Sequence, residues 1–186
     1  MSRLMITSDL HLGHKSITKY RPQFTKEEHD EIIFDNLASN ITKRDTLFLL
    51  GDIAFTLDWH IKVAAIKCKH KVIILGNHDT DRSVKVHQFA GLYDKVHGLL
   101  SHRGYWWSHC PIHPQEMRGR TGNIHGHMHG NNIWDPREFP DASPEELVAT
   151  VGAGLMTQLD TRYLNACVEH TNFKPISFEE LTCLDH

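Results

Sequence analysis

The stretch Leu4-Met-Ile-Thr-Ser-Asp-Leu-His11 decides how this chain is read: a short apolar run of strand length breaks off into Ser-Asp-x-His. Two later runs repeat the design. Thr46-Leu-Phe-Leu-Leu50 stops at Gly51-Asp52, and Lys71-Val-Ile-Ile-Leu75 stops at Gly76-Asn-His-Asp79. Helical signals lie between them. Thr25-Lys-Glu-Glu28 is a capping box, followed by Ile33, Leu37 and Ile41 four apart on one face. The segment from Leu57 to His70 reads as a second helix, capped by Thr56 or Asp58. Such alternation of strand and helix is the pattern of α/β layering.

After Gly91 the pattern changes to short strands near Lys95–His97, Tyr105–His109, Asn123–His125 and Tyr163–Glu169, with little helix between them. Ser177-Phe-Glu-Glu180 is a second capping box and opens a final short helix. Residues 130–160 are polar and rich in Asp, Pro and Gly, with a helical turn expected at Pro144–Val148. A loop of that length inside a compact domain is usually functional or disordered.

The 186 residues fit one domain, expected to span 1–186. No apolar run approaches the ~20 residues of a membrane span, and the start of the chain has no signal-peptide layout, so a cytoplasmic protein is expected. Four scattered cysteines form neither a disulfide framework nor a zinc-finger spacing. The net charge of −3, without a basic stripe, argues against a nucleic-acid partner. The composition stands out in its 16 histidines, and histidine is the commonest metal ligand.

Metal-binding residue types stand at the end of strand after strand: Asp9 and His11, then Asp52, then Asn77-His78-Asp79, then His109, then Gly126-His-x-His129. In open α/β sheets ligands gather beyond the carboxyl ends of the strands, so these loops are expected to converge. Asp9 and His11 are two apart, which on an extended chain turns both to one side, and His127 and His129 repeat that spacing. Asp52 has two carboxylate oxygens with which to bridge two ions. Mixed nitrogen and oxygen donors suit Mn, Fe, Zn, Co or Ni better than Ca or an iron–sulfur cluster. Any one of these residues alone reads as a turn former or helix cap. Together they do not.

The series Asp9-x-His11, Gly51-Asp52, Gly76-Asn-His-Asp79, His109 and Gly126-His-x-His129 resembles the calcineurin-like metallophosphoesterase superfamily. Ser8-Asp-Leu-His-Leu-Gly-His14, Val168-Glu-His-Thr171 and Lys174-Pro-Ile-Ser177 look like one small single-domain prokaryotic or phage branch of it. The resemblance implies a four-layer αββα sandwich and two divalent transition-metal ions, with manganese favoured. It places Asp9, His11 and His129 on the first ion, Asp52 between the two, and Asn77, His109 and His127 on the second. It puts His78 beside the substrate, as proton donor to the leaving oxygen or stabiliser of the transition state, with Asp79 orienting it from behind. Two such ions clamp the attacking and leaving oxygens of an in-line phosphoryl displacement. The expected reaction is phosphoester hydrolysis, with a small nucleotide-like phosphodiester as the preferred substrate. A phosphomonoesterase, a protein phosphatase, a nuclease and a non-catalytic scaffold are the alternatives. His14, three residues past His11, can line the pocket, and Arg118 and Arg120 in the loop after His109 can hold a phosphate; packing and solvated charge are the competing readings. Cys110 adjoins His109 without a base of its own and reads as packing.

Overall fold

The computed structural model describes residues 2–80 and 84–183; the single domain expected over 1–186 also takes in residues 1, 81–83 and 184–186, which lie outside the described residues.

The first sheet holds the strands read from the sequence. β1 (Leu4–Thr7), β2 (Thr46–Leu49), β3 (His70–Ile74) and β4 (Lys95–His97) run parallel. A two-residue strand, β9 (Ile176–Ser177), closes the β1 edge antiparallel, giving the order β4-β3-β2-β1-β9. The second sheet has the order β5-β6-β7-β8, from β5 (Leu99–His102), β6 (Tyr105–Ser108), β7 (Gly122–His125) and β8 (Tyr163–Asn165). Only β5 is antiparallel in it, joined to β6 by a two-residue turn in which Arg103 and Gly104 both have positive φ, 50° and 82°. That handedness matches the twist of a hairpin.

Helices cover one face of the first sheet. α1 (Lys26–Asn40) starts at the Thr25 capping box, with both reciprocal bonds present, and buries Ile33 and Leu37. α2 (Leu57–Ala65) is capped by Thr56 and buries Val63, and the one-turn α3 (Val86–Phe89) buries Phe89. These side chains pack with Met5, Leu47, Leu49 and Ile73 of the sheet. The alternate residues Leu4, Ile6, Phe48, Val72 and Ile74 face Trp107, Ile124 and Leu164 of the second sheet, forming a second core between the sheets. At about 1.5–3 kcal/mol per fully buried large apolar side chain, these two layers are the main driving force for the fold. The outer side of the second sheet is covered by the chain after β6. Met117 is buried there, Ile112 N–H donates to Asn123 Oδ1 (2.9 Å), and Trp106 Nε1 donates to Glu116 O (3.0 Å). Two short helices complete the chain, α4 (Pro144–Gly152) and α5 (Phe178–Thr182), each opened by a serine capping box.

Three local expectations are corrected. The second helix ends at Ala65 rather than His70, because the Lys71 ammonium donates to Ala64 O (2.5 Å) and Ile66 O (2.9 Å) and satisfies the terminal carbonyls early. The strand expected over Tyr163–Glu169 stops at Asn165, where the chain changes sheets. Ala166 N–H still bonds to His125 O, but Val168 N–H bonds to Ser8 O beyond β1. The 130–160 stretch is folded: Trp134 pairs with Leu159, and α4 runs to Gly152.

Candidate metal centre

The loops that follow β1, β2, β3, β6 and β7 meet at one end of the two sheets. Asp9 and His11 do not sit on an extended chain as expected. Asp9, His11, Asp52, His127 and His129 all occupy the left-handed region, with φ of 58°, 53°, 53°, 70° and 48°. Asp and His tolerate this region better than most residues, and each instance still costs about 1–3 kcal/mol. Hydrogen bonds hold the turns: Asp9 N–H donates to Gly51 O (3.0 Å), His11 N–H to Asp52 O (2.9 Å) and His127 N–H to Asp9 Oδ2 (2.8 Å). Gly76 and Gly126 serve close approach. A Cβ at Gly76 would lie on the Asp52 backbone and carboxylate, and one at Gly126 on Ser8 Oγ and Asp9 Oδ2.

The side chains form a connected row of donors. Asp9 Oδ1 lies 3.5 Å from His11 Nε2 and 3.8 Å from His129 Nε2. Asp52 Oδ2 stands between the two halves, 3.8 Å from His11 Nε2 and 3.4 Å from His109 Nε2. His109 Nε2 is in turn 3.0 Å from Asn77 Oδ1 and 3.3 Å from His127 Nδ1. Two donors that share an ion at about 2.1 Å are about 3.0–3.5 Å apart; four of these six spacings lie in that range, and the two at 3.8 Å lie just beyond it. Asp9 Oδ1 and both ring nitrogens of His11 are buried and make no hydrogen bond among the described residues. Buried polar atoms left this way are costly unless something binds them, and a divalent cation is the partner that fits carboxylate and imidazole together.

The electrostatics agree. Burial opposes the charge of His109, but its hydrogen bond to Asp52 and the charges of Asp9 and Asp52 outweigh that and raise it to about 9. Burial likewise opposes the charge of Asp9, yet His11, His109 and Ser8 hold its carboxyl well below the usual range. The centre is a negative field that draws positive charge.

A buried relay, missed by the sequence reading, supports the centre from behind. His129 Nδ1 bonds to Glu169 Oε1 (2.9 Å), which accepts from Arg21 Nη2 (2.7 Å) and Nε (2.9 Å). Arg21, only 1% exposed, also donates to Asp9 O (2.7 Å) and meets His29 Nε2 (2.9 Å). Since a guanidinium only donates, His29 Nε2 accepts and its Nδ1–H donates to Asp30 Oδ1 (2.7 Å). On the other side, His109 Nδ1 bonds to Leu50 O (2.8 Å), which turns Nε2 towards Asp52 and Asn77.

The remaining candidates divide. The ring of His78 lies 5.7 Å from that of His11, and the His78 backbone N–H donates to Asp52 Oδ1 (2.9 Å). Asp79 was expected to orient that ring. Its carboxylate instead accepts three backbone N–H bonds, from Asp52 (2.8 Å), Ile53 (3.0 Å) and Gly76 (2.9 Å), and so ties the second loop to the third. Burial pushes its carboxyl up against the effect of those donors. His14 is at the rim, 4.6 Å from the Phe55 ring, which itself stacks on His11 at 5.6 Å. Phe55 gave no signal in the sequence. Arg118 and Arg120 are not brought to the centre. Both lie where the chain enters β7, whereas His127 and His129 follow its far end; Arg118 pairs with Glu116 (2.8 Å), and Arg120 lies over the Trp106 ring at 4.7 Å on the outer side of the sheet.

Two clefts border the loops of the centre. One of about 530 Å³ is lined by Gly13, His14, Lys15, Phe55 and Leu57, and one of about 360 Å³ by Met128, Trp134, Leu147 and Met156 among others. No helix among the described residues is long and apolar enough to cross a membrane.

Comparisons with known proteins agree with this geometry. Over 186 residues the chain is 24% identical to the uncharacterized protein MJ1445 of Methanocaldococcus jannaschii, covering 96% of this chain and 89% of that one. A stretch of 104 residues is 34% identical to the Gene 66 protein of Mycobacterium phage L5, covering 50% of this chain and 48% of that one. Among solved structures, a protein of unknown function from Aquifex aeolicus, AQ665, superposes over 100% of both chains with a TM-score of 0.66 at 22% identity, a likeness of fold. The family described as calcineurin-like phosphoesterase matches residues 2–154, which contain every donor of the centre. The chain belongs to the calcineurin-like phosphoesterase family, whose members hydrolyse phosphoesters with divalent metal ions.

Proposed function

We propose that this protein hydrolyses a phosphodiester in a small nucleotide-like molecule at a centre of two divalent transition-metal ions, with manganese as the first candidate. The observation that carries the reading is the row of donors from His129 to His127, with Asp52 in the middle and the buried oxygen and nitrogens of Asp9 and His11 turned inward. Asp9, His11 and His129 would hold one ion and Asn77, His109 and His127 the other, with Asp52 serving both. Bound there, the ions supply Lewis acidity and charge neutralisation to the phosphoryl group.

The protein's own side chains do the rest. Asp52 is fixed by the N–H of His78 and by the Asp79 clamp on its own N–H, so the bridging group is pre-positioned. Glu169 holds the His129 ring in the tautomer that leaves Nε2 open. The His78 imidazole, beside His11 at the mouth of the centre, delivers a proton to the leaving oxygen. The preference for a diester is supported by the two clefts. One adjoins His14, just past His11, and the other takes in Met128, between His127 and His129, so each organic arm of a diester has a wall to lie on.

The test is a panel of phosphomonoesters, linear and cyclic nucleotides and oligonucleotides, each assayed with Mn, Ni, Zn and Mg. Turnover confined to small diesters with a transition metal, abolished by chelator, is the expected result. Equal or faster cleavage of monoesters refutes the diester preference, and processing of oligonucleotides makes the protein a nuclease.

A further inference from the structure

We infer that Cys110 supplies a sulfur ligand to the second metal ion, making the two halves of the centre chemically unequal. The inference rests on the binuclear reading above and concerns a residue outside the donor row from which that reading was built. Cys110 Sγ and one ring nitrogen each of His109 and His127 all lie within 4.8 Å of one another, close enough for small side-chain rotations to bring the three onto one ion. His109 and the backbone of Cys110 are held in place, while Cys110 and His127 are exposed and open to an incoming ion. His109 is pinned by its Nδ1 bond to Leu50 O (2.8 Å), and its Nε2 is 3.3 Å from His127 Nδ1. The backbone of Cys110 is fixed by Ser108 Oγ, which donates to Cys110 O (2.6 Å) and accepts from Asn123 Nδ2 (2.9 Å).

Sulfur changes which ion the second half prefers. With Asn77, His109 and His127 alone the donors are neutral nitrogen and oxygen, apart from the shared Asp52. A thiolate adds a soft anionic donor that favours zinc, cobalt or iron(II) over manganese or magnesium. On coordination the thiol proton passes to solvent, so binding there releases one proton more than in a variant without sulfur. Among the described residues, the cluster of the first half, Asp9, His11 and His129, contains no sulfur donor. Cys167 is near, but its Sγ donates to Asp9 Oδ2 (3.2 Å), the oxygen turned away from His11 and His129. The structure therefore favours a mixed pair of ions, the softer one beside Cys110.

The test is titration of the metal-free protein with cobalt(II), followed by absorption spectroscopy, for the wild type and for Cys110→Ser. The expected result is a near-ultraviolet thiolate-to-cobalt charge-transfer band in the wild type that tracks one of the two bound equivalents. In Cys110→Ser the band is lost while the first equivalent still binds. Competition should show the zinc-over-manganese preference of the second site falling at least ~10-fold in that variant. Two cobalt ions bound without a charge-transfer band, or a band that persists in Cys110→Ser, overturns the assignment and leaves the binuclear centre standing. Failure of the wild type to bind cobalt overturns both readings together.

Discussion

Replacing Asp79 by asparagine separates a role in holding the loops from a role in orienting His78. The carboxylate accepts from three backbone donors, with Oδ2 taking Asp52 N–H and Gly76 N–H and Oδ1 taking Ile53 N–H. An amide has one acceptor oxygen. Placed where Oδ2 lies, it keeps two of the bonds and turns an NH₂ group against Ile53 N–H. The lost bond to a charged acceptor is worth about 1.5–3 kcal/mol, and the two retained ones weaken as their acceptor becomes neutral. Burial opposes the charge of Asp79, so removing that charge returns part of the loss. The expected net destabilisation is roughly 2–3 kcal/mol, a shift of about 1 M in the urea midpoint at an ordinary slope. Urea unfolding of the metal-free protein measures it, and metal titration should show weaker binding because the Asp52 loop has lost its tie. An unchanged midpoint and unchanged metal affinity, with turnover reduced only for substrates of high leaving-group pKa, would refute the clamp and return Asp79 to the imidazole.

Other outcomes follow from the same geometry. Asp52→Asn should weaken both ions, whereas His11→Ala should weaken mainly the one beside Asp9; loss of the same single ion in both variants contradicts the bridging position. His78→Ala should lower turnover ~10²–10⁴-fold with normal metal content, and the loss should shrink for nitrophenyl esters, which need little protonation on leaving. Arg118→Ala and Arg120→Ala should leave kcat/KM on small phosphodiesters within about 2-fold of wild type, since neither arginine reaches the centre; a large rise in KM would show that the loop swings in. Glu169→Gln keeps a hydrogen-bond acceptor for His129 but leaves the buried Arg21 without its counter-charge, so it should cost about 3–5 kcal/mol in thermal or urea unfolding. A small effect there would mean that the relay is dispensable.

What could be read in advance was whatever depended on short-range pattern. Strand ends marked by Gly51-Asp52 and Gly76-Asn77, and caps such as Thr25–Glu28 and Ser177–Glu180, are local signals, and the structure carries them. The centre was legible because its donors punctuate strand after strand. The relay was not. Glu169 lies 40 residues from His129 and 148 from Arg21, and no spacing rule joins them. In sequence nothing sets Arg21 apart from Lys15 and Lys19, three cations that could hold a phosphate or stand in solvent, yet it is buried. The arginine loop misled for the opposite reason: adjacency to His109 in sequence suggested adjacency in space, but β7 carries the chain back across the sheet after Arg120. Cys110 was passed over as packing because a lone cysteine has no pattern, and its neighbours His109 and His127 are gathered by the fold.

The backbone at the centre explains why these donors could be named while their geometry could not. An extended Asp-x-His would have put both side chains on one side at the ordinary spacing of a strand. Left-handed turns at Asp9, His11, Asp52, His127 and His129 fold the chain back, so that hydrogen bonds continue from Gly51 and Asp52 to Asp9 and His11 after the ladder of β1 and β2 has ended. Each such residue carries about 1–3 kcal/mol of strain, and the buried carboxylates of Asp9 and Asp52 add mutual repulsion. Strain and repulsion of that size need fixed supports: Asp79 on the second loop, Arg21 on the first, and glycine at 76 and 126 where any Cβ would collide. A divalent ion relieves the repulsion on binding without altering the backbone, so metal affinity and folded-state stability are linked through the same residues. The same arrangement that makes the apo-centre costly is what leaves its donors aimed and ready for the ions.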